Sequence, residues 1–395
     1  MNICVVNIRE NNPFIGGVER VTYALCEEWI KMGHKVICCS TYNSRTKIEY
    51  SKVFPEYFLP NNECVNTSEN VDFLLSLIDT YKIDVVLNQA FPWKEIDDFC
   101  YQIKCKSHIR LFTAIHYAPY QAYIGAKNNL FIRRNEKDHG IKWFFHQLLM
   151  LISFYLYRGW ILKRNEKKLV RLVSNQSDVV VALSKSYASS YSKMSHTSNF
   201  ISIENPLYED VSFDLDVKLN QVIYVGRLEY GLKRFDRVLK IWSEIEPNFP
   251  SWNLVVLGSG NYMSAFMKKA KVLNLKRITF KGFQNPDKYI RQSKILLLTS
   301  SSEGLPMVIL EAKQRACVPI LFNSFGAASE LVKDGEDGFL IKKFCISDYV
   351  QKLSVLMSNE KLLCDMSYNA KHSLGERYRI DRIAQLWIDY FNKTR

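Results

Sequence analysis

The sequence predicts an α/β protein of two doubly wound domains, each a parallel sheet with helices on both faces, and three observations predict it. At 395 residues the chain exceeds what one hydrophobic core usually organises. Short β-branched runs alternate with amphipathic stretches, which is the rhythm of βαβ units and a parallel sheet. That rhythm lapses near residue 200 and restarts at "QVIYVGRL" (221–228), so there are two sheets rather than one.

In the first domain "ICVVNI" (3–8) reads as a buried strand, "VERVTYALCEEWIKMG" (18–33) as an amphipathic helix and "KVICCST" (35–41) as the next strand. "IDVVLNQA" (83–90) and "RLFTAIHY" (110–117) continue the sheet. The stretch 198–220 is polar, carries Pro206 and has no helical period, so it reads as a linker. Beyond it come "FDRVLKIWSEI", "NLVVLGSG", "MSAFMKKAKVLNL", "ITFKGF", "YIRQSKILLLTSS" and "VPILFN", a second βα series. The last stretch places Ile380, Ile383, Leu386, Trp387 and Tyr390 at helical spacing. The expected organisation is therefore a first Rossmann-like domain over 1–200, a linker over 201–220, a second Rossmann-like domain over 221–375, and a closing helix over 376–395 that crosses back toward the first domain. Two such halves with a cleft between them would bind ligands at the carboxyl ends of their strands.

Composition narrows the function classes. Ten cysteines are scattered without a CxxC pair, and Cys100 and Cys105 have the wrong spacing for zinc. A reduced, cytosolic compartment without a structural metal is expected. "MNICVVNIRE" lacks the basic n-region of a signal peptide. The greasiest run, "WFFHQLLMLISFYLY" (143–157), is broken by His146, Gln147 and Ser153, which argues against a spanning helix. Net charge is +13, and the segment Lys127–Arg171 holds eleven Lys/Arg against three acids. Trp143, Phe144, Phe145, Phe154, Tyr155, Tyr157 and Trp160 lie in the same segment. Aromatic surface flanked by cations suits anionic lipid; a helix pair packed into the first domain with a solvated basic face fits it equally well.

Four motifs carry candidate chemistry. Gly16-Gly17 sits between the first strand and helix, where adjacent glycines let a backbone approach an anion at a helix N-terminus. It is not GxGxxG, and a plain turn explains it as well. Gly226, Arg227, Lys233 and Arg234 follow the first strand of the second domain. There a guanidinium and an ammonium can clamp a diphosphate and stabilise it on departure; a solvated basic loop is the alternative. His116 ends an apolar strand, where it can serve as a hydrogen-bonding group. In "SSSEGLPMVILEA" (300–312), Gly304 permits a sharp turn and Pro306 suits the first helical position. Leu305 is a poor cap, which frees the N–H groups of Met307 and Val308 for a bound oxygen. Glu303 lies at the turn and Glu311 inside the helix; taken alone they would serve the helix dipole and the solvent.

The series "GGVER" (16–20), His116 after its strand, "VVVALSKS" (179–186), "IENPL" (203–207), "VGRL" with Lys233, "FKGF" (280–283), "EGLPMVILEA" (303–312) and "ASELVKDGEDGFLI" (328–341) resembles glycosyltransferase family four, retaining nucleotide-sugar-dependent enzymes of the GT-B fold. The least matched part is 120–175, where acceptor domains of the family vary. The resemblance implies that Glu303 contacts the donor sugar, that Glu311 accepts from the ribose hydroxyls, and that Arg227 and Lys233 bind the diphosphate, with Gly226 beside them. Gly16 and Gly17 would approach it from the first domain, His116 would act near the sugar, and the backbone from Gly304 through Leu305, Pro306, Met307 and Val308 would touch sugar or phosphate. Phe283, in "FKGFQNP", belongs to the stretch expected to contact the base. The donor would be a nucleoside-diphosphate sugar, UDP before GDP, with no metal and no other cofactor. The acceptor would be a lipid-linked saccharide or glycolipid in capsule, O-antigen or other cell-surface polysaccharide assembly. The enzyme would be cytoplasmic, peripheral on the inner face of the cytoplasmic membrane, with an anionic membrane surface as partner and no nucleic acid. A GT-B nucleotide-sugar 2-epimerase and a non-catalytic sugar- or membrane-binding protein are the other readings.

Overall fold

A computed structural model describes residues 1–42, 50–130, 141–208 and 218–393, apart from the side chains of 141–144 and 147. The chain divides into two compact units. The first gathers Met1–Pro119, Asn165–Glu209 and Glu376–Arg395, and the second Tyr120–Arg164 and Asp210–Gly375.

The first unit is built on strands β1 (Asn2–Arg9), β2 (Lys35–Tyr42), β3 (Glu56–Phe58), β4 (Val85–Asn88), β5 (Arg110–Ile115), β6 (Val179–Ala182) and β7 (Phe200–Ser202). They form one parallel sheet in the order β3-β2-β1-β4-β5-β6-β7. Alternate residues of β1 divide between two cores, as the pleat requires. Ile3 and Val5 join Leu25 and Trp29 of the helix Gly17–Lys31 on one face. Cys4 and Val6 join Leu74 and Phe99 of the helices Ser68–Tyr81 and Lys94–Lys106 on the other.

The closing helix, Ile380–Lys393, lies on the first of these faces. The Trp29 indole Nε1 donates to the Ala384 carbonyl at 3.1 Å, and the rings of Phe112 and Phe391 meet edge to face at 4.7 Å. Ile383 and Trp387 are buried as their spacing predicts, together with Ala384, Ile388 and Phe391, whereas Ile380, Leu386 and Tyr390 only flank the core. The buried face therefore runs through 383, 384, 387, 388 and 391, and the expected Ile380, Leu386 and Tyr390 lie at its margin. The stretch read as a linker also differs: Phe200–Ser202 adds to β6 with Val180 opposite Phe200. A three-residue edge strand is too short to show an alternation. Residues 209–217 of that stretch lie outside the described residues.

The second unit holds β8 (Leu219–Val225), β9 (Asn253–Leu257), β10 (Ile278–Phe280), β11 (Ser293–Leu298), β12 (Val318–Phe322) and β13 (Phe339–Ile341). This sheet is also parallel, in the order β10-β9-β8-β11-β12-β13. Strand order reverses between β8 and β11, and in such sheets the crevice beyond the strand ends at the reversal is where ligands bind. Trp242, Phe235 and Phe266 fill the core under β8 and β9. The segment from Tyr120 to Arg164, expected in the first domain, belongs to this second unit. Asn128 Nδ2 donates to the Gly231 carbonyl at 2.7 Å, and Gly125 lies close against Leu232. Such packing is set by shape between the helix Gln121–Asn129 and the loop after β8, which hydrophobic period does not encode.

Candidate functional site

At the strand reversal of the second unit, the turn after β11 is buried almost throughout. Thr299 is 0%, Ser300 and Ser301 1%, Ser302 2% and Glu303 8% exposed. The turn is tied to the loop after β8. Ser301 N donates to the Leu232 carbonyl at 2.7 Å, and Thr299 Oγ1 donates to the carbonyls of Lys233 and Arg234 at 3.2 and 3.0 Å. Lys233 Nζ meets both carboxylate oxygens of Glu303, at 2.7 and 2.9 Å. Ser300 Oγ donates to Glu303 Oε1 at 2.6 Å. A cation and an anion named separately from the sequence are thus one partly buried ion pair.

The other basic residues of the loop have distinct places. The Arg227 side chain is 67% exposed and its Nη2 stands 3.6 Å from Glu229 Oε1, so it remains able to swing toward an anion. Arg234 is held by both oxygens of Asp236, at 2.9 and 2.8 Å. Arg237 was not singled out by sequence reasoning. It is buried, with Nη1 donating to the Thr299 carbonyl at 3.0 Å and to Ser301 Oγ at 3.2 Å, and it lies 3.8 Å over the Phe344 ring. Burial pushes its pKa down to about 9, yet the guanidinium stays charged at neutral pH. It braces the turn that presents Glu303. Its only sequence signal is an arginine inside the otherwise apolar face of the helix Phe235–Ile245.

Gly226 opens the loop, its N–H donating to the Leu257 carbonyl at 3.0 Å. The "GSG" after β9 packs directly against it. Gly258 has φ +129°, and a Cβ there would lie 2.0 Å from the Gly226 carbonyl oxygen, so only glycine fits. Gly258 N in turn donates to the Gly282 carbonyl at 2.7 Å, and the next residue, Phe283, is 76% exposed. The ends of β8, β9 and β10 are thereby bound into one rim.

Past Gly304, the helix begins at Met307 rather than at Pro306, which takes the cap position with ψ 97°. Leu305 before it is buried. No side chain caps this end; Ile309 N turns back to the Pro306 carbonyl at 3.0 Å, and the N–H groups of Met307 and Val308 head the helix, where an anionic or hydroxyl oxygen is favoured. Glu311 sits in the second turn, half-buried. Two residues on, Lys313 Nζ is buried against Asp337 Oδ2 at 2.9 Å and the Leu331 carbonyl at 2.8 Å, which fixes the helix to the next loop.

The remaining candidates lie in the first unit, past the ends of its strands. Gly16 is the extended cap of the helix Gly17–Lys31, and open space surrounds the position a Cβ would take at Gly17. His116 follows β5, and its Nε2 donates to Gln89 Oε1 after β4. Burial lowers its pKa to about 4, so it is a neutral hydrogen-bonding group at physiological pH rather than a proton donor.

Two family descriptions match the chain: "Glycosyltransferase Family 4" over residues 15–199 and "Glycosyl transferases group 1" over 209–373. Among curated relatives, an uncharacterised glycosyltransferase of Haemophilus influenzae is 31% identical over 215 residues, 53% of this chain and 60% of that protein. A Campylobacter jejuni α-1,4-N-acetyl-D-galactosaminyltransferase, named for an undecaprenol-diphosphate-linked acceptor, is 28% identical over 47% of this chain and 52% of its own. The match thus spans about half the length of these curated relatives. Among solved structures, Anabaena HepE in complex with UDP superposes with a TM-score of 0.71 at 14% identity, covering 100% of both chains; this is a likeness of fold. With the two family matches running from residue 15 to 373 on either side of the break at 199–209, the chain belongs to family four of the GT-B glycosyltransferases.

Proposed function

We propose that this protein is a retaining glycosyltransferase that moves a sugar from a nucleoside-diphosphate sugar, UDP before GDP, to a hydroxyl of a lipid-linked saccharide or glycolipid. Its setting would be cell-surface polysaccharide assembly, such as capsule or O-antigen, at the inner face of the cytoplasmic membrane. The observation that carries the reading is the Lys233–Glu303 pair at the strand reversal of the second sheet. UDP is the nucleotide bound in the HepE structure, and the Campylobacter relative is named for a lipid-diphosphate-linked acceptor; both support the choice of donor and acceptor.

The pair accounts for the chemistry. Breaking the anomeric C–O bond builds positive charge on the sugar and negative charge on the departing diphosphate. Glu303, fixed by Ser300 and Lys233, offers its negative end to the sugar. Lys233 keeps one donor on Glu303 and turns the others to the diphosphate, which Arg227 reaches from solvent. The dipole exists before the donor arrives, so little reorganisation is needed as charge separates. The N–H groups of Met307 and Val308 would take sugar or phosphate oxygens, and Glu311 would accept from the ribose. These side-chain cations would serve the leaving group without a metal, and the departing phosphate would take the acceptor proton as the hydroxyl attacks from the same face.

The test is nucleoside diphosphate release with UDP- and GDP-sugars, with and without a polyprenyl-diphosphate-linked saccharide. Release that depends on the acceptor, with retained anomeric configuration in the product, is expected. Equal release without acceptor, or a donor epimer as the product, would overturn the reading.

A further inference from the structure

From Ile141 to Gln176 the chain is one helix in three parts: α-helical Ile141–Ser153, π-helical Phe154–Arg158 and α-helical Gly159–Gln176. Its middle is gripped by the helix Gln121–Asn129. Phe154 is buried and stacks on Tyr123 at 5.4 Å, and a methyl group at Gly159 would stand 3.0 Å from the Tyr123 ring and 2.8 Å from the Phe154 carbonyl oxygen. Around that grip the surface is apolar and open to solvent. Phe145, Leu149, Ile152 and Leu156 recur at helical spacing with 56%, 65%, 45% and 77% exposure, and Tyr157 and Trp160 beside them are 65% and 55% exposed. Contiguous apolar surface of this kind marks an interaction site.

The charges at its margin choose the partner. The sequence has no Asp or Glu from 141 to 164. Lys127 lies 5.5 Å from the Tyr155 ring, Lys163 4.1 Å from Tyr123 and Arg164 5.0 Å from Trp160, so the cations rim the aromatic side chains. Two copies meeting through this face would set like charges against one another. An anionic bilayer offers apolar depth under a phosphate layer, which matches both features. No helix among the described residues is long and apolar enough to cross a membrane, which leaves a helix lying in the interface.

We infer that residues 145–164 form an interfacial docking element for anionic lipid, with Leu149, Leu156 and Trp160 entering the acyl boundary and Lys127, Arg158, Lys163 and Arg164 meeting lipid phosphates. The inference deepens the placement in "Proposed function", and its test reads vesicle binding rather than sugar transfer, so the two fail separately.

Full-length protein is sedimented with vesicles of phosphatidylglycerol and phosphatidylcholine in equal parts, and with phosphatidylcholine alone. The wild type pellets with the anionic vesicles only. Leu149→Glu with Leu156→Glu and Trp160→Glu lowers that binding roughly tenfold or more, as does Lys163→Gln with Arg164→Gln at low salt. Both variants keep the wild-type melting temperature and its rise with UDP, since the replaced side chains are exposed. A wild type that stays in the supernatant, or variants that bind like it, overturns the inference. So does a concentration-dependent dimer in sedimentation velocity that the triple substitution dissolves, which would assign the face to a second copy.

Discussion

Lys233 and Glu303 are 70 residues apart in sequence and 2.7 Å apart in space. Each was legible alone, Glu303 from the turn after a buried strand and Lys233 from a basic loop at a strand end. Their pairing was not, because it depends on the depth at which the two loops are tied together. Ser300 and Arg237 were hidden for a related reason: a serine run and an arginine in an apolar helix have no fixed role until the carbonyls and hydroxyls they meet are in place. Asp97 carries no signal in the sequence. It is 2% exposed; its Oδ1 accepts from Asn88 Nδ2 at 2.7 Å, and its Oδ2 meets no hydrogen-bond partner among the described residues. Burial raises its pKa from 3.8 to about 7. The folded state therefore holds this proton more tightly than the unfolded state, and the stabilisation, complete below pH 3.8, is lost as the pH rises through about 7. His116, pushed down to about 4, acts in the opposite sense as the pH falls, so the comparison belongs between variant and wild type. Asp97→Asn melts above wild type on the alkaline side of pH 7, and the gap closes toward acid. A gap that does not vary with pH would show that Asp97 is not the buried acid described.

At the scale of elements, strongly periodic segments were legible and short ones were not. The helix Phe235–Ile245 coincides with the apolar period of "FDRVLKIWSEI". The three-residue strands β3 and β7 carry no alternation to read, and Pro306 exchanged its expected helical place for the cap because the chain is still extended there. The closing helix shows the limit of periodicity: the period marks Ile383 and Trp387, which are buried, but not that Phe391 is buried while Tyr390 stays at the rim. Phe391→Ala removes a fully buried ring and should cost the first unit about 3–5 kcal/mol, read from denaturant unfolding. Tyr390→Ala, one residue away at the rim of the same core, should cost well under half as much. Equal losses would contradict the assigned buried face.

For the whole molecule, two parallel sheets were legible because βα rhythm survives without any tertiary knowledge, whereas membership of the units was not. The chain leaves the first unit at Pro119, contributes Tyr120–Arg164 to the second and returns at Asn165, and neither charge nor hydropathy marks those crossings. The second unit brings Gly226, Arg227, Lys233, Glu303 and Glu311 past the carboxyl ends of the strands of one sheet, and it also carries the exposed apolar stretch 145–160. The proposed donor site and the proposed membrane-docking element, held within one unit, would suit a protein that takes a soluble sugar nucleotide to a lipid-bound acceptor. The proposed role of the ion pair is tested most directly by single-turnover sugar transfer with Glu303→Gln and Lys233→Ala at saturating UDP-sugar. If the pair stabilises the separated charges of the transition state, each substitution lowers the rate constant by about 10²- to 10³-fold while the protein stays folded. A near-wild-type rate in either variant would contradict it.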